Sequence, residues 1–136
     1  MAASITVVAP SVDQLDKIRH PVTAYEIQWV ADGAGAVTAL TTARSFSGTV
    51  VRIVTDPGAA VAETYALTIK DQHGIDLLSG LATACSASAS ENWLPFDTRT
   101  VTTTIVPIQF NIDGPLTINI SSVTADSTGS IFVYIR

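Results

Sequence analysis

Apolar residues fall at every second position through most of this chain, and that spacing restricts the fold more than any other feature. In VTAYEIQWVA, Tyr25, Ile27 and Trp29 share one face, while Ala24, Glu26 and Gln28 take the other. TYALTIK sets Tyr65, Leu67 and Ile69 against Thr64, Thr68 and Lys70. PLTINISS sets Leu116, Ile118 and Ile120 against Thr117, Asn119 and Ser121. TVVRIV places Val51 and Ile53 opposite Val50, Arg52 and Val54. Successive side chains of a strand point to opposite faces, so each run offers one face to a core. SIFVYIR differs, with Ile131, Val133 and Ile135 on one side and Phe132 and Tyr134 on the other. A strand apolar on both faces is central in its sheet, or meets a partner with its second face. RTVTTTIVPIQFNI is also β-rich, but Pro107 removes a ladder donor, so the run bends there or lies at an edge.

Turn chemistry separates the runs. ADGAG at 31–35, TDPG at 55–58, DQHG at 71–74, DGP at 113–115 and ADSTG at 125–129 all combine Gly, Pro and Asp. Glycine reaches positive φ, proline fixes its own φ, and aspartate bonds to the nearby backbone. Many short strands punctuated in this way predict an all-β fold, a sandwich or a barrel. One short stretch reads as helix. SVDQLDKI opens on Ser11 with Gln14 three places on, a spacing that satisfies backbone N–H groups at a helix start. Leu15 and Ile18 then share a face, and Pro21 ends the turn. Ahead of it, SITVVAP is a small apolar segment that suits either a first strand of the same domain or an arm docking on another subunit. The chain thus divides into an N-terminal arm with a short helix, 1–21, and a β-sandwich, 22–136.

At 136 residues the chain buries roughly two-thirds of its unfolded surface without help from metal or disulfide. Only 14% of the residues are charged, against roughly 25% in ordinary soluble domains. A neutral Ser/Thr-rich surface explains part of that, and surface buried against other subunits is the other explanation. The net charge is −5 and the seven basic residues are scattered, which argues against nucleic-acid binding. No apolar stretch is long enough to predict a membrane helix, and the first residues lack the form of a secretory signal, so synthesis in a reducing cytoplasm is expected. The lone Cys85 reads as a small buried thiol.

The stretch DQHGIDLLSG brings Asp71, His73 and Asp76 close together. A calcium loop of the EF-hand kind needs oxygen ligands at the third and fifth places and a closing acid, and this stretch has His73, Ile75 and no such acid. It reads instead as a hairpin connection: Asp71 and Gly74 make the turn, Asp76 points outward, and Ile75, Leu77 and Leu78 return as a strand. His20 and His73 lie in unlike contexts, and neither a nucleophile elbow, a phosphate loop nor a zinc-helix motif occurs. No catalytic, metal or cofactor-binding residue is assigned, and the chain is not expected to be an enzyme. SENWLPFDT gathers Trp93, Leu94, Pro95 and Phe96, either as a loop folded over the core or as an aromatic patch for a partner or a sugar.

Two stretches, YALTIKDQHGIDLLSGLATACSASASEN and DGPLTINISSVTADSTGSIFVYIR, resemble a group of small virion proteins of tailed bacteriophages. The shared pattern is Y-x-[IVL]-x-[IVL], then D-x-x-G-x-D-[IVL]-L, a small-residue stretch, a GPLTL-like start and a final aromatic strand. Tyr65, Leu67, Ile69, Asp71, Gly74, Asp76, Leu77 and Leu78 match the first part; Gly114 to Ile118, Phe132, Tyr134 and Arg136 match the second. The resemblance spans the C-terminal half and carries no catalytic residue. It implies a β-sandwich, often a jelly roll. It also implies capsid decoration: a cement protein, commonly a homotrimer, made in the host cytoplasm and carried on the capsid surface, clamping the major capsid protein. Within that reading the expected contact residues are Ile5, Val7, Val8, Leu15 and Ile18 of the arm, with Trp93 and Phe96. Removal of residues 1–18 is then expected to abolish capsid binding while the β fold survives. The alternatives are a receptor- or carbohydrate-binding module of a tail or fibre, and a neck or tail-completion protein.

Overall fold

The computed structural model describes residues 2–8, 22–97, 106–107 and 110–136, and of residues 96–97 and 106–107 the backbone alone. Every regular element among them is a strand. In chain order these are β1 (Ser4–Val8), β2 (Thr23–Val30), β3 (Val37–Thr41), β4 (Phe46–Pro57), β5 (Ala66–Lys70) and β6 (Glu91–Trp93). They continue with β7 (Phe96–Asp97), β8 (Val106–Pro107), β9 (Phe110–Gly114), β10 (Thr117–Ser121) and β11 (Thr128–Ile135). The helix expected over Ser11–Ile18 lies outside the described residues.

The strands form two facing antiparallel sheets and a short β7–β8 pair. The large sheet runs β1-β2-β11-β4, with β6 and β9 sharing the far edge of the long β4. The small sheet runs β3-β10-β5. The pairings are nested: β2 joins β11, β3 joins β10, and β4 joins β9. Consecutive strands from β2 to β5, and again from β9 to β11, step from one sheet to the other. A hairpin wrapped in this way is the strand order of a jelly roll, so the expected all-β sandwich is the fold. The outer edge of β5 is covered by irregular chain: Cys85 exchanges backbone bonds with Tyr65, and Leu67 N–H donates to Ala82 O at 2.8 Å.

The core lies between the sheets. Ile27, Trp29, Ile53, Ile131 and Val133 of the large sheet face Leu67, Ile69, Ile118 and Ile120 of the small one, all buried. Each such side chain contributes about 1.5–3 kcal/mol relative to exposure. Trp29 meets Tyr65 across the layers at 5.6 Å between ring centroids. Its ladder partner is Gly129, where any Cβ would overlap the indole ring, so the glycine makes room for the largest core side chain. At the other end Tyr25 packs edge-on to Phe46 at 5.1 Å, and Arg44 lies over the Tyr25 ring.

Three local expectations are corrected, and one alternative is decided. Within TVVRIV, Val50 and Ile53 are buried, whereas Val51 is half-buried, because a bulge opposite Tyr134 and Ile135 shifts the phase by one residue. TDPG is not a separate turn, since β4 runs through Pro57 before Gly58 leaves it. Leu77 and Leu78 are buried but lie in turns, with only a Lys70–Asp76 bridge in place of a returning strand. Of the two readings of SITVVAP, the first strand of the same domain is the one found: Ser4–Val8 is the edge strand of the large sheet, and Ile5 and Val7 are partners of Trp29 and Ile27 and pack on the core. Deleting residues 1–18 therefore strips a strand from the fold and does not isolate an arm.

Candidate functional site

The acids of DQHGIDLLSG are occupied with the backbone. Asp71 Oδ1 accepts the N–H groups of His73 at 2.8 Å and Ile75 at 3.0 Å, an aspartate-capped turn. Asp76 does not point outward. Its Oδ1 accepts Ile69 N–H at 3.0 Å and Leu78 N–H at 3.2 Å, and its Oδ2 accepts Gly80 N–H at 2.8 Å. One carboxylate thereby ties the end of β5 to the following turn. Among the described residues no three His, Cys, Asp or Glu side chains gather as a metal site. Cys85 is fully buried, and burial, with a further contribution from Glu91, pushes its thiol up to about 12. A protonated, sealed thiol is a poor nucleophile.

The aromatic loop divides. Trp93 enters β6 beside Ile53, is half-buried against the core, and its Nε1 donates to Thr55 Oγ1 at 3.2 Å. Pro95 is buried and Leu94 is 42% exposed, while Phe96 is placed by backbone alone, paired with Pro107. Trp93 thus serves the core edge, and its ring is not laid open as a stacking platform. Of the other expected contact residues, Ile5 and Val7 face inward and Val8 faces outward. Leu15 and Ile18 lie outside the described residues.

The surface that stands out is the exterior of the large sheet, which the small sheet does not cover. Strand register sets one row across it: Val8, Glu26, Phe132, Val54 and Asn92. The next row holds Ala24, Tyr134 and Arg52, and the row on the other side holds Thr6, Gln28, Ser130 and Asp56. Phe132, Tyr134 and Val54 remain half-buried there although they occupy central strands. Arg52 lies 5.0 Å from the Tyr134 ring centroid and donates its Nε–H to Asn92 Oδ1. Beside Phe132, Glu26 Oε1 accepts Ser130 Oγ at 2.8 Å and Gln28 Nε2 at 3.3 Å. Phe132 and Tyr134 were absent from the expected contact residues. The signal that marks them is the double-faced apolar pattern of the last strand, which becomes a surface feature once β11 is seen in the middle of a sheet whose outer face is solvated.

The opposite exterior differs. On the small sheet Thr41, Thr117 and Lys70 share a row, with a Thr41–Thr117 hydroxyl contact at 3.1 Å, and Asn119 and Thr68 follow. It is a threonine-rich, weakly charged face without aromatics. No family model, curated protein or solved structure matches the chain.

Proposed function

We propose that this chain is a structural virion protein, a capsid decoration protein of a tailed bacteriophage. It binds the outside of the head and bridges neighbouring copies of the major capsid protein, as a homotrimer. The observation that carries this reading is the half-buried aromatic exterior of the large sheet, Phe132 and Tyr134 with Val54 beside Phe132. An apolar patch on a rigid sheet is the form a contact surface takes. The acids and the thiol that a sequence reading singles out as reactive candidates are instead spent on turns and core. The resemblance of the C-terminal half to small phage virion proteins supplies the kind of partner.

Such a protein works by mass action. It binds the assembled lattice and not dissociated subunits, and so shifts the equilibrium towards intact shells. Three copies around one axis repeat a single contact and match the three-fold positions of a shell. The test is addition of purified protein to isolated heads that lack it. Saturable co-sedimentation with the heads, and a raised temperature of head disruption, are expected. No uptake by heads, or uptake only by tails, rejects the reading.

A further inference from the structure

Two carboxylates stand beside an aromatic ring on the large-sheet exterior. Ser130 lies between Gln28 and Asp56 in the ladder, and Glu26 reaches over to accept its hydroxyl. Glu26 thus bonds the hydroxyl of the residue that stands opposite Asp56 in the ladder. The donors to these acids are Ser130, Gln28 and, on Asp56, Ser90 Oγ at 2.9 Å; no Lys or Arg among the described residues pairs with either. A shallow cleft of about 380 Å³ opens here, lined by Gln28, Asp56, Gly129 and Ser130, with Phe132 one ladder row away.

We infer that this face docks a protein surface presenting an arginine among apolar residues, its guanidinium held by Glu26 and Asp56 and laid against Phe132. The inference deepens the contact-protein reading and rests on it for the partner's identity. Three observations select arginine. The same face already stacks one guanidinium on a ring, Arg52 on Tyr134, with a side-chain oxygen of Asn92 taking its Nε–H. Phe132, two residues before Tyr134, presents a ring to the same side with Glu26 as its ladder neighbour. A planar fork of donors matches carboxylates and also stacks on an aromatic face, which an ammonium does less well. Half-buried Phe132 and Val54 supply the apolar surround that excludes water and strengthens the ion pair. A second copy is the poorer occupant. The cation that a second copy brings to these rows, Arg52, is already engaged by Asn92 and Tyr134.

The test is a titration of the isotopically labelled full chain followed by its amide NMR spectrum. The probes are N-acetyl-arginine amide and its neutral isostere N-acetyl-citrulline amide. The arginine probe is expected to shift the amides of Gln28, Asp56, Ser130 and Phe132, and the citrulline probe to leave them nearly unmoved. The Glu26→Gln/Asp56→Asn double variant, with the dispersed spectrum of the folded chain, is expected to weaken arginine binding about five-fold or more. Equal shifts from both probes, shifts centred on the small sheet or the β1 edge, or an unweakened double variant overturn the inference. Shifts of these amides with protein concentration alone assign the face to a second copy and overturn it too. Head binding without the arginine shifts rejects this inference and leaves the decoration reading intact; arginine shifts without head binding reject the decoration reading alone.

Discussion

Replacing Asp76 by alanine tests whether a single carboxylate holds the β5 turn. The side chain accepts three backbone N–H groups, from Ile69, Leu78 and Gly80. Gly80 is exposed, so water replaces the lost acceptor there. Ile69 and Leu78 are fully buried, and their N–H groups are left without the acceptor they use now. Hydrogen bonds to a charged acceptor contribute about 1.5–3 kcal/mol each; taking the low end for the two buried donors gives about 3 kcal/mol. For a chain of this size that corresponds to a Tm lower by about 10 °C. Asp76→Asn keeps one oxygen acceptor but sets an NH2 group against a backbone donor, and is expected to lose about half as much. Urea and thermal unfolding followed by far-UV circular dichroism measure both. A Asp76→Ala variant within about 0.5 kcal/mol of the parent refutes the reasoning, because a missing buried acceptor cannot be that cheap. Stabilisation of the parent by calcium that the variant lacks refutes it from the other side, by making the turn an ion site.

Four further outcomes follow from the packing. Gly129→Ala places a methyl group into the Trp29 ring and is expected to destabilise by about 2 kcal/mol, read by urea unfolding. Cys85 titrates from an ordinary value of 9.0 to about 12 in the fold, so the unfolded chain loses its proton first as pH rises. Its contribution is therefore complete below pH 9.0 and is lost between there and about 12, so unfolding midpoints measured across that window should fall less steeply in Cys85→Ala. The same burial should slow reaction of the thiol with a disulfide reagent by about a hundred-fold or more relative to the urea-unfolded chain. Phe132→Thr, on the exterior of a central strand, should change stability by no more than about 1 kcal/mol while lowering head binding about ten-fold.

The sandwich was legible where alternation is clean. Tyr25, Ile27 and Trp29, Leu67 and Ile69, Ile118 and Ile120, and Ile131, Val133 and Ile135 all turn inward as their period-two spacing requires. It failed where the backbone departs from the pleat. The β4 bulge leaves Val50 and Ile53 inward although their spacing is odd, and no side-chain pattern announces a bulge. β3 escaped notice because its apolar Val37 and Leu40 stand three apart and break the alternation, with Ala39 at φ 48° beside a register shift. Leu77 and Leu78 looked like a strand because a short apolar run does not distinguish a strand from a buried turn; the Asp76 cap decides it. The contact face was the least legible part. It depends on which strands become neighbours, so Glu26, Phe132 and Val54 form a row only after β2, β11 and β4 are aligned.

The proposed role is contact with a phage shell through the outward face of the large sheet. Electron cryomicroscopy of heads mixed with the purified chain measures that directly. The account predicts three-fold clusters of density above the capsomers, with the β2–β11–β4 exterior turned towards the shell. Bare heads, or density whose threonine-rich small-sheet face meets the shell instead, would contradict it.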